Sequence, residues 1–235
     1  MKKIVLLTSL IVSFSAQSQI KALTEDGKEV VLLDNKTWKF VNESDEKTLE
    51  TISTNDQLFE KSKDATFLIR SQKIDAGLYF NPKAWRIIKD SQSSFLEYVF
   101  SNSSNPNLFA IFSSENAPVQ TLKNLKELVI AGVQKNVDYF RLKISEYRIV
   151  NDIKVLHLEY SANAKGLDFE YTGNYYLANE GYGSVIAYTF ANKYEENKKT
   201  LDHFINGITK IDKSNVVDVI KVASPPPPPP AKATK

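Results

Sequence analysis

The 235-residue chain contains no cysteine. That one absence excludes disulfides, thiol chemistry, cysteine-ligated metals and the lipidated cysteine of bacterial lipoproteins. Histidine is scarce: His157 and His203 are the two in the chain, and they form no His-x-x-x-His or comparable ligand spacing. The 8 glycines are scattered, and none builds a Walker-type lysine loop or a dinucleotide fingerprint. Neither sign of charge is in excess, with 30 Lys and Arg against 28 Asp and Glu. Removing residues 1–18 takes away Lys2 and Lys3 and no acid, which brings the formal charge from +2 to zero. A balanced chain offers no electrostatic case for nucleic acid or an anionic membrane surface.

What is present begins with a leader, MKKIVLLTSLIVSFSAQSQ. Lys2 and Lys3 give a positive start, Ile4 to Ala16 an apolar centre, and Ala16-Gln17-Ser18 the small residues a signal peptidase reads. The run is too short for a comfortable membrane span. A signal peptide over 1–18, cut near Ser18, is the expectation, with an uncleaved N-terminal anchor as the alternative. The destination is then the periplasm or the exterior. With no disulfides, the domain has to be held by its hydrophobic core.

Four zones follow. Residues 19–41 carry EDGKEVVLLDNKTWKF, read as a β-hairpin with strands at Val30 to Leu33 and Thr37 to Val41. Asp34-Asn35-Lys36 forms its tight turn, since Asp and Asn tolerate left-handed backbone. An isolated ribbon is marginal in water, so it is expected to dock through Val31, Leu33 and Trp38. Residues 42–64, rich in Ser, Thr, Asn and Asp, read as a polar linker with a helical turn or two. Residues 65–211 form the body, and 212–235 a disordered proline-rich tail.

In the body, period-two alternation predicts strands at Ala65 to Arg70, Gly77 to Phe80, Phe95 to Phe100 and Leu108 to Phe112. Further strands fall at about Tyr139 to Tyr147, Ile153 to Tyr160, Leu167 to Leu177 and Ser184 to Phe190. Asn151-Asp152 and Asn163-Ala164-Lys165-Gly166 mark turns between them. Leu122, Leu125, Val129, Val133 and Val137 recur at helical spacing, predicting an amphipathic helix of about 16 residues. A closing helix is predicted from about Tyr194 to Lys210. The fold class is α+β: an antiparallel sheet of about six to eight strands, covered by two main helices. One sheet face is expected to be buried and the other partly wet.

Two resemblances rest on these residues. The strand Gly77 to Phe80, the turn Asn81-Pro82-Lys83-Ala84-Trp85, the meander and the closing Phe204-Ile205-Asn206-Gly207-Ile208 follow one another in a set order. That order resembles the PsbP/DcrB/Mog1-like group of α/β/α sandwich domains. The group is largely non-catalytic and functionally diverse, so the resemblance implies a fold more than an activity. The ribbon resembles the short "DG-x-x-V-x-L-x-x-DGTW" hairpin found behind the signal peptides of many bacterial envelope proteins, with Asn35-Lys36 where Asp-Gly is usual.

Residues that carry chemistry are few. His157 alternates with Val155 and Glu159 and reads as a partly exposed sheet histidine; His203 reads as a solvated helix residue. Asp168 and Glu170 share one side of a strand, the spacing of a carboxylate pair on a wet face. No constellation of nucleophile, base and orienting group is legible, so no enzyme, no cofactor and no metal is expected. Tyr171 and Tyr175 point to the core by alternation, which leaves Tyr176, with Asn174 and Thr172, as the candidate interaction surface. Trp38 is a second candidate. The third is Pro225, Pro226, Pro227, Pro228, Pro229 and Pro230, a polyproline rod of roughly 19 Å that fits an aromatic groove or serves as a spacer. The expected role is that of an exported, non-catalytic envelope protein whose body binds an unknown envelope protein. The rivals are a scaffold acting through the proline tail and a hydrolase or binding protein of envelope polymers using Glu159, Asp168 or Glu170.

Overall fold

A computed structural model describes residues 20–24, 29–32, 36–40, 44–88 and 96–211. The leader, residues 25–28, Leu33, Asp34, Asn35 and the proline tail lie outside the described residues, and with them the turn expected at Glu25-Asp26-Gly27. The N-terminal ribbon has three strands, not two: β1 (Ile20–Leu23), β2 (Glu29–Leu32) and β3 (Trp38–Phe40), all antiparallel. Lys36 adopts the left-handed region expected of the tight turn, with φ of 66°. Val30 and Val31 are buried, while Trp38 is 53% exposed.

The body begins earlier than its composition implies. Within the segment read as a polar linker lie α1 (Ser44–Glu50) and β4 (Ser53–Phe59). After it come β5 (Phe67–Arg70), β6 (Ala76–Phe80), β7 (Trp85–Ile88), β8 (Leu96–Asn102) and β9 (Phe109–Glu115). The chain then forms α2 (Leu122–Gln134), β10 (Tyr139–Val150), β11 (Ile153–Ala164), β12 (Leu167–Leu177) and β13 (Tyr182–Phe190). It closes with α3 (Tyr194–Ile205) and β14 (Ile208–Lys210).

Eight strands form the main sheet in the order β4-β10-β11-β12-β13-β9-β8-β7. The sheet is mixed rather than all antiparallel, because β4 runs parallel to β10 at the edge. A second, three-stranded sheet has the order β14-β6-β5. The closing helix is shorter than its apolar stripe implies. Gly207 ends it: a Cβ there would lie 1.9 Å from the Tyr79 carbonyl oxygen, so only glycine lets the chain pass this close to β6. The released residues Ile208 to Lys210 then pair with β6. At the predicted Asn151-Asp152 turn both residues have positive φ, 45° and 65°. Asn151 Nδ2 also donates to the carbonyls of Asn206 and Ile208, at 2.8 and 2.7 Å, tying that turn to β14.

Both faces of the main sheet are buried, where one wet face was expected. On one face, α3 and the small sheet cover Phe100, Phe112, Val155, Val185 and Ala187. Phe204 of α3 meets Trp85 at 4.5 Å and Phe100 at 5.0 Å between ring centroids. On the other face, α1 and α2 cover Leu156, Leu158, Tyr160 and Tyr175. The result is a three-layer α+β body. No helix among the described residues is long and apolar enough to cross a membrane.

Candidate functional site

The face under α2 carries a ladder of aromatic rings that crosses the strands. Tyr160, Tyr171, Tyr188 and Phe109 are register partners in turn, on β11, β12, β13 and β9. Tyr160 and Tyr171 stack at 4.8 Å with 11° between ring planes, and Tyr171 and Tyr188 at 5.0 Å with 25°. Phe140 of β10 closes the other side of Tyr160 at 5.4 Å. Cross-strand aromatic pairs of this kind stabilise a sheet and hold its ring orientations.

Helix α2 does not seal this face. Thr121 caps its start, the Thr121 hydroxyl accepting from the Asn124 amide at 3.1 Å. Leu125, in the first half, is fully buried, but Val129 and Val133 are only partly so. Gly132 sits in the second half, and a Cβ built there would meet nothing within 4 Å. A cleft of about 570 Å³ lies here between helix and sheet. Its roof is Leu128, Val129, Gly132 and Val133, and its floor is Tyr160, Tyr171, Tyr175 and Ile186. The size falls in the range of small-ligand pockets, about 300–1,000 Å³.

No charged side chain lines the cleft. Its polar groups are mostly engaged. Tyr182 donates to Glu115 Oε2 at 2.6 Å, and the Ser184 and Ser113 hydroxyls pair at 2.8 Å. Asn136 Nδ2 donates to the Gly132 carbonyl at 2.8 Å. The Tyr175 hydroxyl is buried without a hydrogen-bond partner. Tyr160 lies close enough to influence its ionisation, yet no hydrogen bond of acceptable geometry joins the two. Burial pushes the hydroxyls of Tyr160, Tyr175 and Tyr182 upward and holds Tyr171 at about 12, so all four stay neutral at ordinary pH.

The opposite face holds a polar network instead. His157, fully buried, pairs its Nδ1 with Asn174 Oδ1 at 2.9 Å and faces Glu159 Oε1 through Nε2 at 3.4 Å. Lys198 of α3 donates to Glu159 Oε1 at 2.5 Å. Burial raises the Glu159 carboxyl, but the hydrogen bonds from His157 and Lys198 and the Lys198 charge outweigh it and bring it down to about 2. Asn174 Nδ2 donates to the Ile205 carbonyl and to Asn206 Oδ1, at 3.1 and 3.2 Å. These contacts fasten α3 to the sheet.

Several expectations change accordingly. Asn174 is completely buried and Tyr176 is 8% exposed, so neither forms a surface; both belong to the α3 core. His157 is interior rather than partly exposed, with Asn174 Oδ1 at 2.9 Å from Nδ1 and Glu159 Oε1 at 3.4 Å from Nε2 inside the layer between sheet and α3. His203 is exposed, as expected. Asp168 is exposed, whereas Glu170 is buried and takes bonds from Lys143 at 2.5 Å and Ser161 at 2.7 Å, so the two do not form a wet pair. Pro225 to Pro230 lie outside the described residues. Tyr171 and Tyr175, read as core residues, are the ones that line the cleft. The available signal was Gly132, a lone glycine in the stripe of an amphipathic helix.

No protein-family model and no curated protein matches the chain. Solved structures do. Cyanobacterial PsbP from Synechocystis sp. PCC 6803 matches with a TM-score of 0.49 and 12% identity, over 63% of this chain and 94% of that one. LpqN of Mycobacterium tuberculosis, involved in cell envelope biogenesis, matches with a TM-score of 0.40 and 15% identity, over 58% and 83%. PA94 of Pseudomonas aeruginosa, a protein of unknown function and putative regulator, matches with a TM-score of 0.38 and 11% identity, over 57% and 89%. A PsbP protein thus stands among the matches, in the group that the order of elements resembles.

Proposed function

We propose that the protein is an exported, non-catalytic binding module of the cell envelope, which holds an apolar group of its partner in the cleft beneath α2. The cleft carries this reading: it is preformed, apolar and free of charged side chains. Such a site offers contact and exclusion of water but no acid, base or nucleophile in its working ionised state. The acids that a hydrolase would draw on support the same reading, since Glu159 and Glu170 are buried in internal bonds to Lys198, Lys143 and Ser161. The signal peptide expected over residues 1–18 supports export.

Gly132→Trp tests the proposal, because the new ring enters open space instead of displacing the core. Crosslinking in intact cells with the parent chain is expected to yield specific adducts, and the Trp variant is expected to lose them while melting no lower. A chain shortened by residues 224–235 is expected to keep them. Undiminished capture by Gly132→Trp overturns the assignment to the cleft; capture lost only with the tail transfers the role to the prolines.

A further inference from the structure

His157 has no exposed surface, and its neighbours determine where its protons lie. Its Nδ1 is 2.9 Å from Asn174 Oδ1. The orientation of that amide is set by its nitrogen, which donates to the Ile205 carbonyl at 3.1 Å. Turning the amide would set two oxygens against each other, so its oxygen faces His157 and Nδ1 has to donate. Nε2 faces Glu159 Oε1 at 3.4 Å. That carboxylate is ionised, with Lys198 at 2.5 Å, and it can only accept. A neutral imidazole has one N–H and leaves one of these two contacts lone pair against lone pair. The doubly protonated ring satisfies both.

Charge balance points the same way. Among the described residues, Glu159 on β11, Glu146 at the facing position of β10 and Asp202 on α3 bring three acids to this layer. Lys198 on α3 and Arg148 on β10 bring two bases, Arg148 being bound to Glu146. Tyr194 of α3, pushed upward by burial, is neutral, as are Thr172, Asn174 and Asn206. Further along the face Lys143 and Glu170 neutralise each other. A positive His157 makes the set even. A neutral one leaves a negative charge in the interior uncompensated, which is costly.

We infer that His157 is held with a proton on both ring nitrogens and that the second proton is a clasp for α3, closed while it is bound and loosened when rising pH removes it. The bonds set the sign. Asn174 joins His157 to the end of α3, and Lys198 joins Glu159 to its middle. Loss of the proton breaks one of the two ring contacts and weakens the hold on the helix. Imidazole suits such a clasp, because few other side chains exchange a proton between about pH 5 and 8. The device lies on the face opposite the cleft and does not depend on what the cleft binds.

Nitrogen NMR of the isotope-labelled full chain tests this, with the exposed His203 as a reference in the same spectrum. At about pH 7 both ring nitrogens of His157 are expected to resonate as protonated. Between about pH 6 and about pH 9, amide protection of α3 relative to β12, corrected for intrinsic exchange, is expected to fall at least about ten-fold, the scale of one charge-assisted hydrogen bond. In His157→Gln that relative protection is expected to be the same at both pH values. An unprotonated His157 nitrogen at about pH 7 overturns the inference. So do ring signals that stay unchanged up to about pH 9, and α3 protection that stays level while those signals change. Protection that still falls in His157→Gln overturns the clasp. The parent chain alone supplies the first three readings, so a variant that fails to fold leaves the test intact.

Discussion

Glu159 makes the internal network measurable. Its carboxylate is 6% exposed and is held by Lys198 at 2.5 Å and by His157 at 3.4 Å. The folded-state value of about 2 lies well below the 4.5 of a free glutamate. That difference, multiplied by about 1.4 kcal/mol per unit, corresponds to roughly 3 kcal/mol of stability linked to ionisation. The sign follows from proton binding. Between the two values the unfolded chain binds the proton and the folded one does not, so stability rises with pH. The contribution is complete above about pH 4.5 and is lost as pH falls toward 2. Asp202, pushed upward by burial, titrates in the opposite sense and reduces the slope of the whole protein. The difference between parent and Glu159→Gln therefore isolates the effect. Urea unfolding is expected to place the variant about 3 kcal/mol below the parent at neutral pH. The gap is expected to shrink to about 1 kcal/mol near pH 3. A gap that stays constant with pH would mean that the Glu159 charge is not what the network stabilises, and the reasoning would fall.

Three further outcomes are expected. Gly132→Ala should raise stability by about 0.5–1 kcal/mol, since it removes a helix-interior glycine into open space; thermal melting checks it. Gly207→Ala should cost about 1–3 kcal/mol, because its Cβ meets the Tyr79 carbonyl and β6 has to shift; the urea midpoint reads this, and an unchanged midpoint refutes it. Lys126 is buried, and burial draws it down to about 8. Its Nζ donates to the carbonyls of Thr48, Leu49 and Thr51 at 2.8–2.9 Å, so Lys126→Met should cost about 2–3 kcal/mol and speed amide exchange across β4 more than across β12.

The parts of the fold legible in the sequence are those with a strong period. Strand β12 matches its predicted bounds, and β10, β11 and β13 extend theirs by two to four residues at one end. The Asn151-Asp152 turn was legible because positive φ demands such residues. Strand β4, STNDQLF, was not, because an outer strand with mostly exposed side chains has no apolar alternation to show. The candidate surface was misplaced for a related reason. His157, Thr172 and Asn174 look like a wet face, but each finds partners in α3 or along the sheet, and polar residues paired in the interior are indistinguishable by pattern from solvated ones. The cleft depends on how far α2 stands off the sheet, and a single glycine hinted at it without fixing it.

Strand β4 also guards the molecule against its own kind. Strand β10 has 12 residues, and β4 pairs with the last part of it, Glu146 to Val150, whose amides and carbonyls would otherwise stand unpaired at the sheet border. The residues that cover it are mostly hydrophilic, and their parallel pairing to β10 leaves Ser53, Thr54, Asp56 and Gln57 exposed beside Leu58. A fragment started at Ala65, where the composition turns apolar, would lose this cover together with α1. It is expected to self-associate through the bared border of β10 more readily than the full chain.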